Sequence, residues 1–209
     1  MKPEAFTVPS SIALVSSATR NGDVYTIHVH MHRLAAWAAS TAARSSPSCR
    51  FDVETGTRII ELGIVDLLTG ALSWPEPCKM NEFHHSLRHS VIAAAAACGL
   101  SFTHGIAAKL INMYFKVVLI TAENCMHPLI AALHPPIDGD MLQAIVRAKV
   151  GDQRLWRRLR DVGWTKFSSR DYEEAIAGLR SLLGPDTPLW MAEEYWGGYQ
   201  GAWKKRPVR

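Results

Sequence analysis

The sequence predicts an all-α fold, a compact orthogonal array of about seven or eight helices, and three observations support that class. Apolar residues recur at three- and four-residue spacing in most segments that lie between turn signals. Runs of alternating apolar and polar residues, which mark half-buried strands, are almost absent. Side chains that cap helix N-termini, and the Gly or Pro that end helices, stand at the borders of the periodic segments. A chain of 209 residues with 48% apolar content can bury one substantial core. The expected organisation is an irregular segment over 1–22, a single helical domain over 23–203 with room for two lobes and a cleft between them, and a basic tail over 204–209.

Residues 1–22 are rich in Ser, Thr and Pro, with a short strand signal at Ile12 to Val15. Asp23 reads as an N-cap, and Val24, Ile27, Met31, Leu34 and Ala38 give a helix over 24–43, which Ser45 to Ser48 break. Asp52 and Glu54 open a second helix that carries Ile59, Ile60, Leu62, Ile64, Val65, Leu67 and Leu68 and stops at Gly70. Asn81 is placed to cap a third helix through Cys98, with Gly99 beyond its end. The small residues of Val91 to Ala97 let a neighbouring helix approach closely. A fourth helix runs from about Gly105 to Thr121, a fifth starts at Asp138 or Asp140 and ends near Val150, and Gly151-Asp152 starts a short arginine-rich sixth. Ser168 and Asp171 form a capping-box pattern before a helix through Leu183, which Gly184-Pro185 stop. Pro188 begins a final helix that contains Trp190, Glu193, Glu194, Tyr195 and Trp196.

The net charge is +4, and the positive residues cluster: Arg154, Arg157, Arg158 and Arg160 in one segment, Lys204, Lys205, Arg206 and Arg209 at the C-terminus. Such clusters suit a polyanion such as nucleic acid, or are simply solvated faces. Cys49, Cys78, Cys98 and Cys125 lie too far apart for a zinc ribbon, and a disulfide framework is not expected at this length. No secretory signal pattern opens the chain, and Lys109 and Lys116 interrupt its most apolar stretch, so the expectation is a cytoplasmic protein without a membrane span. No Walker loop, serine nucleophile elbow or dinucleotide fingerprint occurs.

The most telling residues are Gly105-Ile106-Ala107-Ala108-Lys109 and, 29 residues after the lysine, Asp138 in His134-Pro135-Pro136-Ile137-Asp138. A lysine just inside an apolar helix and an aspartate at a helix start beyond a Pro-Pro turn are a plausible amine and carboxylate pair. The positive end of the helix favours the ionised carboxylate. Gly105 to Lys109 resembles the Gly-x-Gly-x-Lys hairpin-to-helix junction of the helix-hairpin-helix DNA glycosylases, and Pro136-Ile137-Asp138 resembles their Pro-x-Asp segment. The likeness is greatest to the 8-oxoguanine glycosylase branch, including its compact archaeal form, and spans about residues 84–150. Ala107 stands where that family has its second hairpin glycine, and the longer Lys-to-Asp spacing is absorbed between Asn124 and Leu133.

The resemblance implies a DNA glycosylase, with lyase chemistry open to an amine nucleophile, that flips a damaged or modified base from duplex DNA and needs no cofactor. Lys109 would attack the sugar C1′, and Asp138 would prepare the amine and stabilise positive charge on the sugar. Gly105, Ala107, Arg154, Arg157, Arg158, Lys204 and Lys205 would contact DNA, and Trp190, Glu193, Trp196 and Phe102 are candidates for the base pocket. The rival is a non-enzymatic helical protein that binds nucleic acid or another protein, with Lys109 and Asp138 as a structural ion pair. A weaker option is a histidine-based metal hydrolase. His28 and His32, and His85 and His89, are four residues apart on a helix face, with His84 and His104 nearby in sequence. No third ligand is indicated, so surface or capping histidines are preferred and no metal is expected.

Overall fold

The computed structural model describes residues 25–44, 49–68, 71–120 and 128–196, and the regular elements among them are all helical, with no strand. The Ile12 to Val15 strand signal, Asp23 and Val24, and the basic tail with Lys204 and Lys205 lie outside the described residues. The α-helices are α1 (Ile27–Ala43), α2 (Val53–Gly63), α3 (Val65–Leu68), α4 (Met80–Ala97), α5 (His104–Phe115), α6 (Pro128–Ala132), α7 (Gly139–Ala148), α8 (Gln153–Val162) and α9 (Ser169–Leu183).

The boundaries follow local chemistry. Thr26, Asp52, Thr103, Asp138, Asp152 and Ser168 each accept a backbone N–H in the first turn that follows. At Ser168 the backbone N–H donates in turn to the Asp171 carboxylate, which completes the capping box. Four expectations are corrected. The second helix is divided at Ile64, which raises the helix count. Asn81 lies inside α4 rather than capping it, because a 3-10 turn at Pro77–Lys79 leads directly into Met80. The fourth helix widens into a π-turn at Lys116–Ile120. The final element, Leu189–Tyr195, is a 3-10 helix.

The core forms two apolar clusters. One gathers α1 to α6, with the small residues Ala35, Ala36, Ala39 and Ala43 of α1 letting α5 approach; the other gathers α7, α8, α9 and the final 3-10 helix. Helix α5 joins them, because Ile106, Ala107, Leu110 and Ile111 belong to the first cluster and Ala108 to the second. Small residues set the spacing elsewhere too: a Cβ on Gly63 would lie 2.6 Å from Val91 Cγ2, so α2 crosses α4 at the start of its alanine run. No helix among the described residues is long and apolar enough to cross a membrane.

The tightest approach is at Gly105, where an added Cβ would stand 1.8 Å from the Trp164 carbonyl oxygen. Backbone cannot yield as a flexible side chain does. Gly105→Ala should therefore cost about 3 kcal/mol or more in urea unfolding. Gly139→Ala, where nothing lies within 4 Å of the added methyl, should be neutral or stabilise by up to about 1 kcal/mol. Equal stability of the two variants would contradict the packing of α5 against the Trp164 turn.

Candidate functional site

Helix α5 is almost wholly buried, yet it carries Lys109 and Asn112 at positions i and i+3 of one face, and Lys116, seven residues after Lys109, opens the π-turn that continues it. Each finds a polar partner on a different element. Lys109 Nζ donates to Asp138 Oδ2 at 2.9 Å, while Asp138 Oδ1 accepts the Met141 N–H at 2.9 Å as the cap of α7. The second bond fixes the carboxylate so that its other oxygen faces the amine. Lys109 is 5% exposed and Asp138 17%, and the Trp164 ring centroid lies 5.8 Å from Nζ. One helical turn beyond Asn112, Lys116 forms an ion pair with Glu193 and lies 5.3 Å from the Trp196 ring centroid.

Asn112 is the middle link of a buried polar chain. Its Nδ2 donates to the Pro135 carbonyl and the Tyr172 hydroxyl, both at 2.9 Å, which fixes the amide orientation and makes Oδ1 the acceptor for His84 Nε2–H at 2.7 Å. His84 Nδ1 then accepts from Arg88 Nη1 at 3.2 Å. The Tyr172 hydroxyl donates to His134 Nδ1 at 3.0 Å, so His134 carries its proton on Nε2 and donates to Asn81 Oδ1 at 2.9 Å. The order of donors assigns both imidazoles the neutral, Nε2-protonated form. Burial, then the charges of Arg88 and Arg180, push the His134 pKa down to about 3. Burial, then His134 and Arg88, push His84 well down, and burial pushes the Tyr172 hydroxyl up.

Arg88 is the hub of the mouth of this chain. Its side chain is 1% exposed, its Nη2 donates to Glu173 Oε1 at 2.9 Å and Ser169 Oγ at 3.0 Å, its Nε donates to His104 Nδ1 at 3.3 Å, and its guanidinium stacks 4.4 Å from the Tyr172 ring centroid. Burial opposes the Glu173 carboxylate, but hydrogen bonds from Ser169 and His85 and the Arg88 charge outweigh it and hold its carboxyl below the usual range. Helices α4 and α9 flank a cleft of about 560 Å³ over this network, with Asn81, His85, Arg88, His134, Tyr172, Glu173 and Ile176 in its wall. A neighbouring cleft of about 550 Å³ shares Asn81, Ile176 and Ala177 and continues along α9 past Arg180 to Pro185.

The residues singled out in the sequence fall in several places. Lys109 and Asp138 meet. Gly105 and Ala107 are buried inside α5, and their N–H groups already donate to the Phe167 and Thr103 carbonyls, so neither presents a free N–H to a phosphate. Phe102 packs on Phe51 in the first apolar cluster, while Glu193 and Trp196 gather around Lys116 and Trp190 is half-buried in the same 3-10 helix. These four residues therefore do not form one pocket. Arg154 and Arg157 are exposed on α8, but Arg158 pairs with Asp171 and Glu174, and Arg160 with Asp161.

The expectation of surface or capping histidines fits His89, which is exposed, but not His32 and His84. His32, His84 and His134 are buried, and His32 is held by the Tyr114 hydroxyl at 2.8 Å and Glu61 at 3.0 Å, which occupies both ring nitrogens. Sequence reasoning gave no functional role to Asn81, Arg88, Asn112, His134, Tyr172 and Glu173. The available signal was an asparagine among Leu and Ile in an apolar helix and a histidine fixed before Pro-Pro. Comparison with known proteins finds no matching family model, curated protein or solved structure.

The two neutral histidines give stability a pH dependence of defined sign. An unfolded histidine protonates near pH 6.5, whereas folded His134 does so near 3 and folded His84 well below its ordinary value. Their stabilising contribution is therefore present above pH 6.5 and lost as pH falls below it, by up to about 1.4 kcal/mol per pH unit for each group. Urea unfolding between pH 6 and 5 should show this slope, and His134→Gln should remove about half of it. An unchanged slope in the variant would mean that His134 is not buried as a neutral ring.

Proposed function

We propose that the chain is a DNA glycosylase-like protein that excises a damaged or modified base, with Lys109 as the nucleophile and Asp138 as the activating carboxylate. One observation carries this reading: two residues 29 positions apart, paired in advance from their sequence context, meet at 2.9 Å where α5 joins the two apolar clusters. The chemistry is that of an amine held beside an oriented carboxylate. The Nζ–C1′ bond forms as the N-glycosidic bond breaks, the base leaves with that bond's electron pair and takes up a proton, and Asp138 accepts the proton shed by the amine. For a flipped nucleotide to reach Nζ, the Trp164 turn over the amine has to move. Double-stranded DNA would be the partner, with exposed Arg154 and Arg157 on its phosphates.

The near-complete burial of Lys109 and the occupied N–H groups of Gly105 and Ala107 favour a second reading. In it the pair is an interhelical bridge, and the protein acts by binding another macromolecule. Removing one member of a buried pair costs about 3–5 kcal/mol because the other charge is left without a partner.

Borohydride trapping on duplexes that carry a panel of modified bases, 8-oxoguanine among them, separates the two. The glycosylase reading expects a covalent adduct with the unaltered protein and none with Lys109→Gln; Asp138→Asn should lose the adduct while keeping DNA affinity. No adduct on any duplex, or an adduct that persists in Lys109→Gln, would overturn it. Salt dependence tests the phosphate contacts apart from the chemistry. Each contributes about −0.9 to the slope of log affinity against log salt, so replacing Arg154 and Arg157 together should flatten that slope by about 2. A slope that stays the same would remove α8 from the interface.

A further inference from the structure

We propose that His85 and His89 on α4 form a two-histidine binding site for a divalent transition-metal ion of the zinc, nickel or cobalt type, at the edge of the α4–α9 cleft. Their Nε2 atoms lie 3.1 Å apart across one helical turn. Two imidazole nitrogens on one tetrahedral zinc, each about 2.0–2.1 Å from it, stand about 3.3–3.4 Å apart. A shift of a few tenths of an ångström in exposed side chains therefore converts the contact into a chelate.

The tautomers are arranged for it. His85 Nδ1 donates to Glu173 Oε1 at 2.9 Å, which leaves the Nε2 lone pair outward and supplies the carboxylate–histidine support that orients metal-binding imidazoles. Without metal, His89 Nε2–H is the donor to that lone pair. His89 is exposed, so its proton can move to Nδ1 with water as partner, and both Nε2 atoms then face the ion.

The surrounding charge is mixed. The Arg88 guanidinium lies 3.3 Å from His85 Nδ1, but the Glu173 carboxylate it bonds to shares that side of the ring, and Glu82 lines the same cleft. His104 stacks on His85 and stands edge-on to His89, yet its Nδ1 accepts from Arg88 Nε, so its own proton is on Nε2 and it is no third ligand. Accordingly, no set of three His, Cys, Asp or Glu side chains among the described residues is arranged to hold a metal ion. The remaining coordination positions go to water or to an oxygen or nitrogen of whatever occupies the cleft, which makes this an open site.

Zinc or cobalt titrated calorimetrically into chelator-treated full-length protein tests the proposal. The expected result is a site of one ion per chain, weakened about tenfold or more in His89→Gln and again in His85→Gln, and lost from the double variant. The His89 side chain is exposed, so His89→Gln should unfold in chelator at the same temperature as the unaltered protein, and zinc should raise that temperature less in the variant and not at all in the double variant. Proton NMR should show the ring signals of His85 and His89, and not those of His104, moving with zinc. Binding that is as tight in the double variant, or absent from the unaltered protein, would overturn the site and would leave the Lys109–Asp138 reading untouched.

Discussion

A guanidinium that is 1% exposed, opposite a carboxylate that is 51% exposed, is the constraint around which the described residues are arranged. Burying an ion away from water is costly, and a single half-solvated counter-charge does not offset that cost alone. Arg88 is satisfied instead by several acceptors at once: Glu173 and Ser169 from α9, His84 one turn back on its own helix, and His104 at the start of α5, with the Tyr172 ring beneath. Three helices are thereby tied to one planar group. Because an arginine only donates, the Nδ1 atoms of His84 and His104 that accept from it must be unprotonated, and from His84 this direction propagates through Asn112, Tyr172 and His134 to Asn81. A break anywhere in the chain leaves a buried donor or acceptor without a partner, at a cost of about 1–3 kcal/mol.

The same logic explains why α5 is central although it is among the most apolar segments. Its apolar faces join the two clusters, and its polar stripe reaches three different segments: Asp138 ahead of α7, the Pro135 carbonyl and Tyr172, and Glu193 in the last 3-10 helix. Lys109 is buried at one end of this polar stripe, and Lys116, at the start of the π-turn, is partly exposed at the other. Each cation also sits beside an indole, Trp164 and Trp196 respectively, so moving either lysine requires an aromatic ring to move with it.

What was legible in the sequence was local. The caps at Asp52, Asp138, Asp152 and Ser168, and the stops at Gly99 and Gly184, depend on residues a few positions apart, and the pattern states them directly. The Lys109–Asp138 contact was legible because one residue lies inside an apolar helix and the other at a helix start. Asn81, by contrast, has the chemistry of an N-cap but serves His134, a partner 53 residues away that no periodicity reveals. The sequence favours surface or capping roles for the paired histidines because it indicates no third metal ligand, and the burial of His32 and His84 depends on donors and acceptors from distant segments that no local pattern shows. The basic cluster on α8 illustrates the reverse error, since half of its arginines are paired with carboxylates of the same chain.

The directional chain through the core is tested most directly by long-range nitrogen–proton NMR correlations of the histidine rings near pH 6. His84 and His134 should both appear as neutral imidazoles with the proton on Nε2. A charged ring at either position, or a proton on Nδ1, would contradict the order of donors from Arg88 to Asn81 and with it the arrangement of the α4–α5–α9 interface.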